Sequence, residues 1–493
     1  MQPGRERKLV TAALLAGMFL AALEATAVAT AMPTAVADLG GMERFSWVFS
    51  AYLLTSTTTV PLYGKLADLH GRLRIYLIGM TFFLLGSILS GAAASFEQLI
   101  LFRAIQGLGA GGVMPVSITI VGDIFTLEER GRMQGLFSGV WGLASLIGPA
   151  LGGLVTDSFS WRYVFFFAVP FGLISAVLLS VFLREREPRR EHKLDLIGTA
   201  LLTMAIALLL IAILEGSEVW GWSSPLTLSV GLISALAFAA FLRQERVVPE
   251  PTLPLDLFQN RVIAVSSAGS LVLGALLFAL TAFVPMFAQG VLGGTAKAAG
   301  VPLIAMSVGW PLASATAGRL MIRTGYRRLV VFGAGFAVVG VVMLAFASRH
   351  SSLVSISLAM LVLGIGNGFV STPYLVAVQN AVPWNRRGVA TSSGQFFRTI
   401  GGAVAVAAFG AVLNARLRGR LGATFNANAA LDADLRASLS PGALENLTAA
   451  LAAGLHAVFV ACAVLALAGL VIALFFPPGS ASKHAHQELT VTV

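Results

Sequence analysis

Glu24 is an acid in the middle of LVTAALLAGMFLAALEATAVATAMP, the apolar run from Leu9 to Pro33. A helix rising ~1.5 Å per residue crosses a hydrocarbon core in ~20 residues, so this side chain lies at membrane depth. A carboxylate there is costly unless it faces a polar cavity, pairs with a cation or takes up a proton. Helical spacing places Gly17, Ala21, Val28 and Ala31 beside it, small residues that admit a second helix, water or a ligand. Two readings follow: a structural carboxylate held by a buried arginine, or a group that exchanges protons. Arg103, inside a later apolar run, is the complementary charge, for which Glu24 or an acidic substrate is the natural partner. Tyr52, Trp141, Gln289, Trp310, Asn367, Tyr374, Gln395, Phe396 and Arg398 also lie within apolar runs and are candidates to line a substrate cavity. The alternative for each is a hydrogen bond to a neighbouring helix, or packing.

Other chemistries find no support. Cys462 is the single cysteine, so there is no intrachain disulfide framework. Isolated histidines (His70, His456) and the lack of Cys/His clusters argue against a metal site. No Gly-x-x-x-x-Gly-Lys-Ser/Thr loop is present to cradle ATP, and no serine–histidine pair suggests a membrane-embedded enzyme. No cofactor and no enzymatic activity are expected.

The elements that must hold these groups are membrane helices. Of 493 residues, 57% are hydrophobic and only 11% charged, with mean hydropathy +0.85. A soluble domain carries roughly 25% charge, so the chain reads as an all-α integral membrane protein. The net charge of +10 comes from Lys and Arg in short loops, where they set topology and meet lipid headgroups; nucleic acid is not an expected partner. About fourteen apolar segments of spanning length run from 9–32 to 452–476. The bias of Arg and Lys toward alternate loops puts both termini in the cytoplasm. The first segment is too long for a signal peptide and is expected to be retained.

Two weak repeats divide the chain. Gly64–Arg72 joins the second and third spans, and Gly318–Arg327 joins the tenth and eleventh. Glu129-Arg130-Gly131 and Arg386-Arg387-Gly388 each open the helix two spans later. The expected organisation is therefore an N-terminal six-helix bundle (1–184), two linker helices with cytoplasmic flanks (185–261), and a C-terminal six-helix bundle (262–493) with an outer loop over 414–451. Repeated halves around a midplane site are the layout of secondary transporters. Within the outer loop, Ser440-Pro441-Gly442 reads as a turn and Ala443–Ala453 as a short amphipathic helix or a solvated loop.

GKLADLHGR (Gly64–Arg72) resembles the cytoplasmic signature of the major facilitator superfamily. Leu101–Gly112, with Arg103, resembles its fourth-span arginine motif. Gly139-Val140-Trp141-Gly142 through Gly148-Pro149-Ala150-Leu151-Gly152-Gly153 resembles its fifth-span antiporter motif. Trp161–Phe165, Leu23-Glu24-Ala25-Thr26 through Pro33 and Phe397–Gly402 are similar to patterns of the fourteen-span drug–proton antiporter branch. The resemblance implies a proton-driven exporter of hydrophobic small molecules, cationic ones among them, or of lipids, working as a monomer in the cytoplasmic membrane. It implies proton coupling at Glu24 and Arg103. It also implies conformational roles for Gly64, Asp68, Gly71 and Arg72, with Asp68 and Arg72 as a cytoplasmic latch, and for Gly142, Gly148, Pro149 and Gly152. The sequence departs from the branch in carrying Glu rather than Asp in the first span, and no acid in the middle of the second. A single embedded acid suits neutral or monovalent substrates.

Overall fold

The computed structural model describes residues 4–125, 127–183, 195–216, 220–249, 251, 253–383, 386–421, 431, 435 and 438–478. Among these residues the regular structure is helical throughout. The first group comprises α1 (Gly4–Leu39), α2 (Phe45–His70), α3 (Arg72–Gly91), α4 (Phe96–Ile124), α5 (Leu127–Ser158), α6 (Arg162–Phe166), α7 (Ala168–Phe182), α8 (Leu196–Glu215) and α9 (Pro225–Val247). The second comprises α10 (Arg261–Met286), α11 (Ala296–Thr324), α12 (Tyr326–Ala345), α13 (Leu353–Asn380), α14 (Arg387–Leu421) and α15 (Pro441–Leu474).

Local sequence sets the boundaries. Ser95, Asp195, Ser224, Ser352 and Ser440 each accept a backbone N–H from three residues on, and Pro225 and Pro441 occupy the first helical position. The repeat is visible at two turns. Gly71 joins α2 to α3 with φ 93°, and Gly325 joins α11 to α12 with φ 80°, a backbone region open to glycine but strained for other residues. Pro441 starts one continuous 34-residue helix, so the expected short helix at Ala443–Ala453 is the first part of α15. Likewise α14 runs on to Leu421, well into the expected outer loop.

Twelve of the described helical segments are long and apolar enough to cross a membrane. The expectation was fourteen; α2 and α5 are not among the twelve. In α2 the run Thr55–Thr59 lowers hydropathy, and the hydroxyls of Thr55, Ser56, Thr58 and Thr59 bond back to carbonyls three or four residues earlier. Apolar side chains also point outward, among them Leu85, Leu101, Val181, Leu232, Leu236, Phe346 and Val464. That outer surface suits helices whose solvent is lipid.

The chain divides into two compact units, Met1–Thr252 with Thr295–Gly300 and Leu431–Ala437, and Leu253–Gly294 with Val301–Ala430 and Ser438–Val493. The two helices expected as a linker, α8 and α9, thus belong to the first unit. Trp47 on α2 donates to Glu215 at the end of α8 at 3.3 Å, and Gln244 on α9 donates to Asp195 at the start of α8 at 3.0 Å. In the second unit, Arg386 ahead of α14 pairs with Asp256 ahead of α10 at 2.6 Å. The hydrogen bond from Arg386 holds the Asp256 carboxyl below its ordinary range. The pair's contribution is therefore present at neutral pH and fades as pH falls through that lowered value. Both groups are about half exposed, so Asp256→Asn should change unfolding stability at pH 7 by less than ~1 kcal/mol, measured by thermal denaturation in detergent.

Candidate functional site

The first unit builds a buried charge cluster from α1, α2 and α4. Arg103 on α4 donates to Glu24 Oε1 on α1 at 2.8 Å, with both side chains at most 2% exposed. The same Nη1 donates to Gln106 Oε1, one turn along α4. The guanidinium carbon lies 4.2 Å from the centre of the Tyr52 ring on α2 and 5.9 Å from that of Phe165. Tyr52 therefore stacks on the cation, a cation–π contact strengthened by desolvation. Three polar atoms remain buried without a hydrogen-bond partner: Glu24 Oε2, Arg103 Nε and Gln106 Nε2. The carboxylate keeps one oxygen available to accept a proton.

Glycines fix these helices in place. On α4, Gly107 lies against the backbone of Tyr52 and Gly111 against Ser56 and Thr59, one helical face turned to α2. Thr55 and Thr59 of α2 donate to the α4 carbonyls of Ala104 and Leu108, at 2.9 and 3.4 Å. On α3, Gly86 meets the backbone of Gln106 itself. On α5, Gly148 lies against Thr26 and Gly152 against Ala27 and Thr30 of α1, while Thr26 donates to Ala144 at 3.3 Å. Small residues thus bring backbones together where a larger side chain would hold them apart. Pro149 is buried inside α5, and Gly142 is partly buried there.

The remaining sequence candidates are scattered. In the second unit, Tyr374 is packed in the core, stacked on Phe476 at 5.8 Å. Trp310 donates to Ser371 at 3.1 Å. Asn367 is buried with Nδ2 unpartnered, and Gln289 lies on a π-turn, Phe287–Val291, that ends α10. Gln395 is exposed, Phe396 meets Phe397 edge-on at 5.6 Å, and Arg398 is partly buried with Nε unpartnered. Gly64 has open space around it. The side chains of Trp141 and Asp68 lie outside the described ones, so the expected contact of Asp68 with Arg72 does too.

Two participants escaped sequence reading. Gln106 was legible in principle, since i and i+3 on a helix are neighbours. Asp38 was not: it accepts from Trp161 at 3.0 Å and Arg162 at 2.6 Å across 123 and 124 residues. These bonds give the Trp161-Arg162 pair its structural role, with Arg162 also donating to the Ala93 carbonyl at 3.2 Å. Asp157, in the last turn of α5, accepts the backbone N–H groups of Ala296 and Lys297 at 3.0 and 2.9 Å.

Comparison with known proteins places this architecture. A sequence model described as Major Facilitator Superfamily matches residues 14–406. The chain is 34% identical over 440 residues to Multidrug resistance protein 3 of Bacillus subtilis (strain 168), covering 89% of this chain and 85% of that protein. It is 35% identical over 411 residues to Multidrug transporter protein MdtP of the same organism, covering 83% and 76%. Among solved structures, a bacterial homolog of the human lysosomal transporter Spinster, inward-facing and unoccupied, superposes with TM-score 0.69 at 17% identity, covering 96% of this chain and 98% of that one. The fold is thus shared with a distant transporter, and the closer relatives are named for multidrug transport. A multi-pass helical membrane protein with these matches over most of its length belongs to the major facilitator superfamily.

Proposed function

We propose that the protein is a proton-coupled exporter of hydrophobic small molecules, a monomer crossing the cytoplasmic membrane fourteen times with both termini inside. The fourteen crossings include α2 and α5, helices of 26 and 32 residues in which Thr55, Thr59, Gly148 and Gly152 meet neighbouring helices.

The observation that carries the reading is the Glu24–Arg103–Gln106 cluster with its unpartnered carboxylate oxygen. Charged, the pair is neutral overall and tolerates burial. Protonated on Oε2, Glu24 leaves the guanidinium uncompensated, a state favoured only where water or a substrate reaches it. Proton uptake and substrate occupancy are then coupled through one cluster. Each proton entering down a potential supplies ~2.3 kcal/mol per 100 mV, enough for about a fortyfold uphill concentration ratio at one proton per substrate. The multidrug names of the relatives support a hydrophobic cargo.

The test is flux in reconstituted vesicles carrying a fluorescent dye, with and without an imposed pH gradient. Uphill dye movement is expected with the gradient and should collapse on adding a protonophore. Uphill movement unaffected by protonophore would remove the proton from the cycle. Translocation of labelled lipid in place of dye would assign the cargo to lipids.

A further inference from the structure

The two units treat their membrane-embedded arginines differently. Arg103 in the first has an acid, an amide oxygen and an aromatic face. Arg398 in the second, on α14, has no ion pair, hydrogen bond or ring contact with any described residue, and its Nε is sealed from solvent. Nor does the sequence hold a local counter-charge. From Leu257 to Leu431 there is no Asp or Glu, and none again from Asn446 to Gln487. The spans of the second unit therefore contain an arginine and no carboxylate.

The cation is held on a fixed backbone. Gly274 of α10 lies against the Arg398 carbonyl, and Gly401, three residues along α14, lies against the carbonyl of Leu271. A Cβ at either glycine would collide with main chain, so α10 and α14 are locked together at this level. Partial exposure of the residue, with Nε buried, leaves the outer end of the guanidinium as the part that can be reached. Gln395, one turn earlier on the same helical side, is exposed and adds an amide. A guanidinium does not discard its charge, and its parallel N–H groups match the two oxygens of a carboxylate.

We propose that Arg398 is the anchor for an anionic oxygen group on an otherwise apolar substrate, so that the carried molecules include hydrophobic carboxylates. This deepens the exporter reading by naming a substrate class, and it rests on that reading for the transport step alone. A cationic substrate finds no carboxylate in the spans of this unit, whereas an anionic one completes an ion pair that the chain leaves open.

Binding separates this inference from the exporter reading, because it needs no gradient. The full-length protein in phosphatidylcholine nanodiscs is titrated with a rhodamine bearing a free carboxyl group and with the methyl ester of the same dye, followed by fluorescence polarisation. The wild type should bind the acid more tightly than the ester, and Arg398→Gln should lower the acid-to-ester affinity ratio about tenfold or more. Arg398→Lys, which keeps a charge, should restore part of the ratio. If the glutamine variant does not fold, by size-exclusion profile, the wild-type ratio and the lysine variant decide. Equal wild-type affinities, or a ratio unmoved by substitution, would overturn the proposal. So would an Arg398-dependent preference that vanishes in phosphatidylglycerol nanodiscs, because the guanidinium would then belong to a lipid phosphate. Arg398-dependent binding without uphill export would uphold the anchor and sink the exporter reading.

Discussion

In vesicles with an imposed pH gradient, the Glu24→Gln variant accumulates no dye against its concentration gradient while remaining folded in detergent. Gln keeps the shape and an oxygen for Arg103 to donate to, but it has no proton to exchange. Substrate can still equilibrate downhill, so the loss is of coupling rather than of a path. Sustained uphill export by this variant would leave Glu24 with only the structural reading. Stability separates the same two partners. Removing one member of a buried ion pair costs about 3–5 kcal/mol, because the other charge is stranded. The two deletions are not equivalent, since a stranded carboxylate can take a proton and a stranded guanidinium cannot lose one. Glu24→Leu should therefore lower the unfolding temperature more than Arg103→Leu. The Glu24→Leu/Arg103→Leu double variant should lose less than the two single losses added together, the coupling expected of groups in contact.

The site was legible to the extent that its chemistry is expensive. An acid and an arginine in apolar runs must each be accounted for, and pairing Glu24 with Arg103 needed only that expense and the scarcity of partners. Gly71 and Gly325 were legible as turn residues in a repeat, and both adopt positive φ. The aromatic candidates were not separable in the same way. Tyr52 stacks on Arg103 whereas Tyr374 fills a core, yet both are single tyrosines in apolar helices. In lipid the outward and inward faces are both apolar, so hydropathy carries little information about which face a residue occupies. Hydropathy also sets α2 apart from the other long helices, because hydroxyls such as Thr55 and Thr59 lower it while bonding to carbonyls of their own helix. Asp38 illustrates the remaining limit, because its partners are set by helix packing and not by spacing.

Conformational roles were expected of Gly142, Gly148 and Gly152, and the geometry assigns a sharper duty to a glycine outside that motif. Gly86→Val on α3 should abolish export, and Gly86→Ala should impair it more than its effect on unfolding implies. A Cβ at Gly86 would stand 2.5 Å from the Cα of Gln106 and 2.6 Å from its Cβ. Those atoms belong to a helix backbone and cannot swing aside, so α3 and α4 must separate. Overpacking of this kind typically costs about 1–3 kcal/mol. The displacement falls on Gln106, whose oxygen receives Arg103, and α4 carries both residues away from Glu24. Gly231→Ala on α9 is the control. It has nothing within 4 Å of an added Cβ and lies inside a helix, where alanine is favoured over glycine by about 1 kcal/mol. That variant should unfold no earlier than the wild type and export normally. If Gly86→Ala matched it on both counts, the α3–α4 contact would not be what holds the charge cluster in register.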